Sequence, residues 1–227
     1  MAADRLGGDC LAFFVMKIEN IEIEKETNAC FKIKAGGKVV YSDPFKIKNP
    51  EKADLILITH EHEGHFSLED IEKVFKEDTV MVIPPVAHPP LLQFDKDIFN
   101  LVVIGPGEKY YGDGWEVETA PAYNVNKFNS SGKLFHPRED ERIGFILAIS
   151  GKRIYFAGDT DFVPEMNSIK NIDLALLPVG GGTVMTLEEA ARAVETIQPR
   201  VAIPMHCTSE EEANDFKGKT RIKVVIL

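Results

Sequence analysis

The sequence has no apolar run approaching the roughly 18 residues that cross a bilayer, so an integral membrane protein is excluded. Basic residues are in deficit, 26 against 36 acidic, for a net charge of −10. A surface of that sign repels phosphate backbones and anionic lipid, which argues against a protein that coats nucleic acid. Cysteine is scarce: Cys10, Cys30 and Cys207 form no CxxC pair and leave one thiol over. That excludes a disulfide framework and points to a reducing cytosol. No repeat, low-complexity tract or Gly/Ser linker divides the 227 residues. A phosphate-binding loop is missing too, because no Gly-Lys-Ser/Thr follows Gly180-Gly181-Gly182. That triple glycine is instead expected to let backbone pass close to a site.

What is present is an ordinary globular composition, 44% hydrophobic and 27% charged. Residues 1–15 lack the basic start and apolar length of a signal peptide, with Asp4 and Asp9 among them. They are expected to be a disordered extension, leaving one domain over 16–227. From Met16 the chain reads as short strands: Met16–Ile23, Ala29–Lys34, Val39–Tyr41, Leu55–Ile58, Val80–Ile83, Leu101–Ile104 and Trp115–Thr119. A second set follows at Ile143–Ile149, Arg153–Phe156, Asp173–Leu177, Val201–Pro204 and Ile222–Leu227. Ser67-Leu-Glu-Asp70 and Thr186-Leu-Glu-Glu189 read as capping boxes that open helices to about Lys76 and Ile197, and Ser209–Phe216 reads as a third helix. Many strands with few long helices predict stacked sheets with helices outside, an α/β fold of αββα layers.

The strands end in residues that bind metals. His60-Glu-His62-Glu-Gly-His65 follows one buried strand and holds three of the six histidines in the chain. In an extended segment His60 and His62 project to one side, and Glu61 and Glu63 are expected to point away from them. Gly158-Asp159-Thr160-Asp161 and Met205-His206 end two further strands, and His136 sits in the long loop after Trp115–Thr119. Imidazoles suit zinc and other first-row ions, and a carboxylate such as Asp159 can bridge two of them. Asp161 is expected to cap or support. His88 is expected to be a plain loop residue and Cys207 a small buried hydrophobe.

Thr59-His-Glu-His-Glu-Gly-His65, Phe156-Ala-Gly-Asp-Thr160 and Ile203-Pro-Met-His206 together resemble the metallo-β-lactamase superfamily. The resemblance is to its branch of small cytosolic metal-dependent hydrolases that includes the ascorbate-6-phosphate lactonases. Asp43-Pro44, Leu177-Pro-Val-Gly180 and Met185-Thr-Leu-Glu-Glu-Ala190 fit that branch as well. It implies the αββα sandwich and a centre of one or two divalent ions, zinc by preference with manganese or iron as alternatives. His60, His62, His65, His136, Asp159 and His206 are the implied ligands, with Asp159, His65 and His206 in catalytic roles.

The chain departs from the family at two places. The motif His-x-His-x-Asp-His has Gly64 at its Asp position, which removes a carboxylate that in the family holds the second ion and orients water. Asn124 stands where a further histidine is usual, leaving either His136, twelve residues on, or a site without that ligand. Asn124 and Lys127 are the candidate substrate-binding residues, and Lys133 and Arg138 lie on the same loop. The expected chemistry is hydrolysis of an ester-type bond, a lactone or phosphodiester, by a metal-bound hydroxide. The expected partner is a small, anionic metabolite, with no membrane, no nucleic acid, and a homo-oligomer left open. Two alternatives stand beside it: a degenerate member that binds metal or ligand without turnover, which Gly64 supports, and a nuclease, which the acidic surface disfavours.

Overall fold

The computed structural model describes residues 15–227. Of the extension expected over residues 1–15, residues 1–14 lie outside the described residues, and Val15, instead of lying in it, belongs to the first strand. The expected strand Met16–Ile23 is two strands, β1 (Val15–Ile18) and β2 (Ile21–Lys25), paired antiparallel with Ile18 opposite Ile21. The clue lies in the sequence: the apolar positions 16, 18, 21 and 23 change parity across Glu19-Asn20. There the chain turns, with Glu19 at φ 51°.

A meander continues through β3 (Phe31–Ala35) and β4 (Lys38–Ser42), after which β5 (Leu55–Leu57), β6 (Val80–Ile83) and β7 (Asn100–Val103) add in parallel. The second sheet is built the same way. Antiparallel β8 (Lys109–Gly112), β9 (Trp115–Pro121), β10 (Ile143–Ile149) and β11 (Lys152–Phe156) precede parallel β12 (Leu174–Pro178), β13 (Val201–Met205) and β14 (Lys223–Val224). Among the described residues each sheet has seven strands in sequential order. β8 is not among the expected strands, although Asp113-Gly114 between it and β9 is a strong hairpin signal. The last strand is shorter than expected, two residues rather than Ile222–Leu227.

Side-chain alternation on the inner strands separates three cores. Leu55 and Leu57 of β5, and Leu174 and Leu176 of β12, face the space between the sheets and meet Ile33, Phe145 and Ile203 there. Ile56 and Ile58 face outward onto α1 (Leu68–Val74) through Ile71 and Val74. Ala175 and Leu177 face outward onto α3 (Leu187–Ile197) and α4 (Glu210–Lys219), through Ala190, Val194 and Phe216. A short α2 (His88–Leu91) completes the helices, so His88 opens a helical turn rather than sitting in a plain loop. The layers are helix, sheet, sheet, helix, as expected. Among the described residues no helix is long and apolar enough to cross a membrane.

This arrangement positions the polar residues. Parallel strands end on one side, and β4, β5, β11 and β13 deliver Asp43, Thr59-His60, Asp159 and His206 to the same edge. Hydrogen bonds tie that edge across the sheets, from Ile143 N to the Thr59 carbonyl at 3.2 Å and from His206 N to the Asn28 carbonyl at 3.2 Å.

Candidate metal centre

His60 and His65 are buried, and their rings lie 4.1 Å apart between centroids. The turn between them needs Gly64, whose φ of +101° strains any L-residue although the space beyond its Cβ is open. His62 stands 4.9 Å from the His60 ring. The twelve-residue excursion does return: His136 is buried, with its ring 5.2 Å from His60 and 5.1 Å from His62. His65 Nε2 and His206 Nε2 meet the two oxygens of Asp159 at 3.4 Å and 3.3 Å. All six expected ligands therefore converge. His60, His62 and His136 can offer donors within 4.8 Å of one another, and so can His60, His65 and Asp159.

The outward nitrogens decide which way the rings face. Thr59 Oγ1 donates to Asp43 Oδ2 at 2.7 Å, so toward His60 it can only accept, and it takes His60 Nδ1–H at 2.9 Å. Asp43 also accepts His65 Nδ1–H at 2.8 Å. Asn124 Oδ1 accepts His136 Nδ1–H at 3.0 Å. The rings of His60 and His136 are left with a bare Nε2, whereas His65 turns its Nε2 to Asp159; such second partners hold a ligand histidine in one orientation. Asp43 and Thr59 carry no role in the sequence reading beyond motif resemblance. Asp43 at the end of β4 obeys the same strand-end rule that picked out the candidate ligands.

His62 differs. Arg142 Nη2 donates to its Nε2 at 3.1 Å, so the neutral ring carries its proton on Nδ1; to offer Nδ1 to an ion it would move that proton to Nε2, beside the Glu61 carboxylate. Glu61 is not turned away as expected. Its carboxylate lies 3.5 Å from His62 Nε2, held there by Arg142 at 2.6 Å, whereas Glu63 is exposed.

Three buried polar atoms at the centre make no hydrogen bond: His60 Nε2, His136 Nε2 and Asp159 Oδ1, the last with only its 3.4 Å contact to His65 Nε2. Unpaired buried acceptors cost free energy, and here they belong to the nitrogen and oxygen donors that first-row divalent ions prefer. The donor set fits such an ion. Burial, followed by the neighbouring His65, holds the His60 pKa well below its ordinary value. Burial lowers His136 to about 4, and burial together with Arg142 lowers His62. These imidazoles are neutral at pH 7, the form that binds metal. Burial alone would lower His65 as well, but Asp159 and Asp43 on either side raise it to about 10. Asp159 is driven the other way: burial would raise it, and His65 and His206 outweigh burial and keep it ionised.

A family profile described as the beta-lactamase superfamily domain matches residues 22–206. The chain belongs to this superfamily. Within it, the chain is 33% identical over 200 residues to a UPF0173 metal-dependent hydrolase of Thermoplasma acidophilum, covering 83% of this chain and 84% of that one. It is 34% identical to one from Thermococcus onnurineus, over 79% and 81% of the two chains. Among solved structures, a protein of Parabacteroides distasonis assigned as a metal-dependent hydrolase superposes with a TM-score of 0.82 at 27% identity, covering 94% of this chain and 98% of that one.

The beta-lactamase superfamily architecture accounts for the layers and for the site at the strand ends. The two expected substrate residues need correction. Asn124 is 1% exposed and spends its carboxamide on His136, Asp161 Oδ1 and the Thr183 carbonyl. Lys127 pairs with Asp161 at 3.0 Å and Glu189 at 2.8 Å. With their polar atoms engaged inside the protein, both build the loop instead of facing a substrate. Arg138 is likewise paired with Glu165, at 2.7 Å. Asp161 supports as expected, accepting Val125 N at 2.7 Å and Asn126 N at 3.1 Å. Of the triple glycine Gly180 serves as expected, since a Cβ there would run into the His206 carbonyl oxygen, while Gly181 and Gly182 face open space at positive φ.

Proposed function

We propose that this superfamily member is a metal-dependent hydrolase that cleaves an ester-type bond, a lactone or phosphodiester, in a small metabolite of the cytoplasm. The observation that carries the metal reading is the convergence of three unpartnered buried atoms, His60 Nε2, His136 Nε2 and Asp159 Oδ1. His60, His62 and His136 would hold one divalent ion, zinc by preference. Asp159, His65 and His206 would hold a second. When bound, an ion supplies Lewis acidity, acidifying a water and polarising the oxygen of the bond under attack.

The chain's own residues do the rest. Asp159 stays ionised and orients His65 and His206 through its two oxygens. Asp43 and Thr59 keep the rings of His60 and His65 from turning. His206 is the most accessible of the three around Asp159, with 26% of its side chain exposed. If a single ion binds, its Nε2 is placed to pass a proton to the leaving oxygen. Of the loop cations Lys127 and Arg138 are already paired, which leaves the exposed Lys133 and the centre itself to meet an anionic group on the substrate.

Elemental analysis of the protein, as purified and after zinc or manganese loading, counts the ions. Hydrolysis is then assayed on panels of lactones and phosphodiesters. Chelation and His206→Ala should each abolish turnover while the circular dichroism spectrum stays folded; activity that survives both would overturn the proposal. Failure to take up any ion after loading would favour the degenerate binding member that Gly64 suggests. RNA binding with a steep salt dependence would favour the nuclease.

A further inference from the structure

We propose that Asn124 is a positioning residue for His136, setting the tautomer and direction of that ring toward the centre. This rests on the metal reading above. The backbones of the two residues already meet, Asn124 N donating to the His136 carbonyl at 2.7 Å. Closing the loop needs no more than that. The side chain does something further: Oδ1 accepts both the backbone N–H and Nδ1–H of His136, each at 3.0 Å. The amide cannot usefully flip, because its nitrogen donates to two acceptors, Asp161 Oδ1 at 3.1 Å and the Thr183 carbonyl at 2.9 Å.

The ring nitrogen opposite this bond is one of the three unpartnered atoms at the centre. A side chain with an acceptor at one end of a fork and donors at the other suits this place. Aspartate would set a second carboxylate against Asp161, and alanine would leave Nδ1–H without an acceptor in a buried site. Asp161 is itself fully buried and neutralised by Lys127, which reaches on to Glu189 in the first turn of α3. His136 is thus anchored to a helix through Asn124, Asp161 and Lys127. The tip of its loop, closed by Asn129 Oδ1 on the N–H groups of Ser131 and Lys133, stands apart from that anchor.

A double-mutant cycle read by calorimetric titration of zinc or cobalt into the full chain tests this. Asn124→Ala should weaken by about 10–100-fold the same ion that His136→Ala weakens. In the His136→Ala background it should add nothing, since its effect passes through that ring. Equal weakening in both backgrounds, or none in the wild-type background, overturns the proposal while leaving the metal reading intact. Wild-type protein that binds neither ion overturns both. A measurement on the unmutated chain guards against a variant that does not fold. Nitrogen NMR of labelled histidine in the metal-free protein should find the His136 proton on Nδ1, and a proton on Nε2 with Nδ1 bare overturns the assignment.

Discussion

At the scale of the residue, a single hydroxyl settles how His60 stands. Thr59 Oγ1 is shared between His60 Nδ1 and Asp43 Oδ2, all three groups being buried. Thr59→Val keeps the shape and removes the hydroxyl, leaving a buried N–H without an acceptor. The expected cost is about 1–3 kcal/mol, seen as a lower urea midpoint of the metal-free protein; an unchanged midpoint would contradict the arrangement. Two site residues also hold left-handed backbone, Asp43 at φ 43° and His206 at φ 57°. Such conformations cost on the order of 1–3 kcal/mol each and persist where the surroundings impose them. At His206 the surroundings include Gly180, whose missing side chain makes room for the His206 carbonyl.

At the scale of the element, α3 stabilises more than its own helix. Its capping box pairs Thr186 Oγ1 with Glu189 N, and Glu189 with Thr186 N. The same Glu189 carboxylate holds Lys127 at the base of the loop that carries His136. Thr186→Ala should cost about 1 kcal/mol, which for a domain of this size lowers the thermal midpoint by roughly 2–4 °C. Differential scanning calorimetry checks this, and no shift would mean that packing of Ala190, Val194 and Ile197 alone holds the helix. The first helix is capped differently. Ser67 accepts Asp70 N, but Asp70 turns its carboxylate to Lys46 N and Ile47 N instead of closing a box.

At the scale of the whole molecule, buried carboxylates make stability depend on pH. Burial alone would raise the Asp70 pKa, but Lys73 and the N–H groups of Lys46 and Ile47 outweigh it and hold it below its ordinary value. Asp54 is held low in the same way, by Lys76 and Val39 N against the opposing effect of burial. A folded pKa below the unfolded one gives stability that is complete above the unfolded value, near 3.9. It is lost as pH falls through the folded value. The urea midpoint should therefore drop as pH falls below about 4, and Asp70→Asn should flatten that dependence while lowering the plateau at neutral pH. An equally steep acid limb in the variant would remove Asp70 from the account.

The strand ends and the chemistry waiting at them are written in the local pattern of the chain. Apolar runs such as Leu55–Ile58 stop at imidazole or carboxylate because inner strands, buried on both faces, can place polar residues only where they leave the sheet. The αββα order, the gathering of His60, His62, His65, Asp159 and His206 at one edge and the supporting place of Asp161 follow from that local pattern. The partners of these groups come from folding in three dimensions. His136 joins the centre through a bond to Asn124 that spans twelve residues, and Glu61 is claimed by Arg142 from 81 residues away. Lys127 is drawn inward by Asp161 and Glu189. A hydrogen bond between distant residues leaves no period or spacing in the chain, since it depends on where two sheets and a helix bring their ends together.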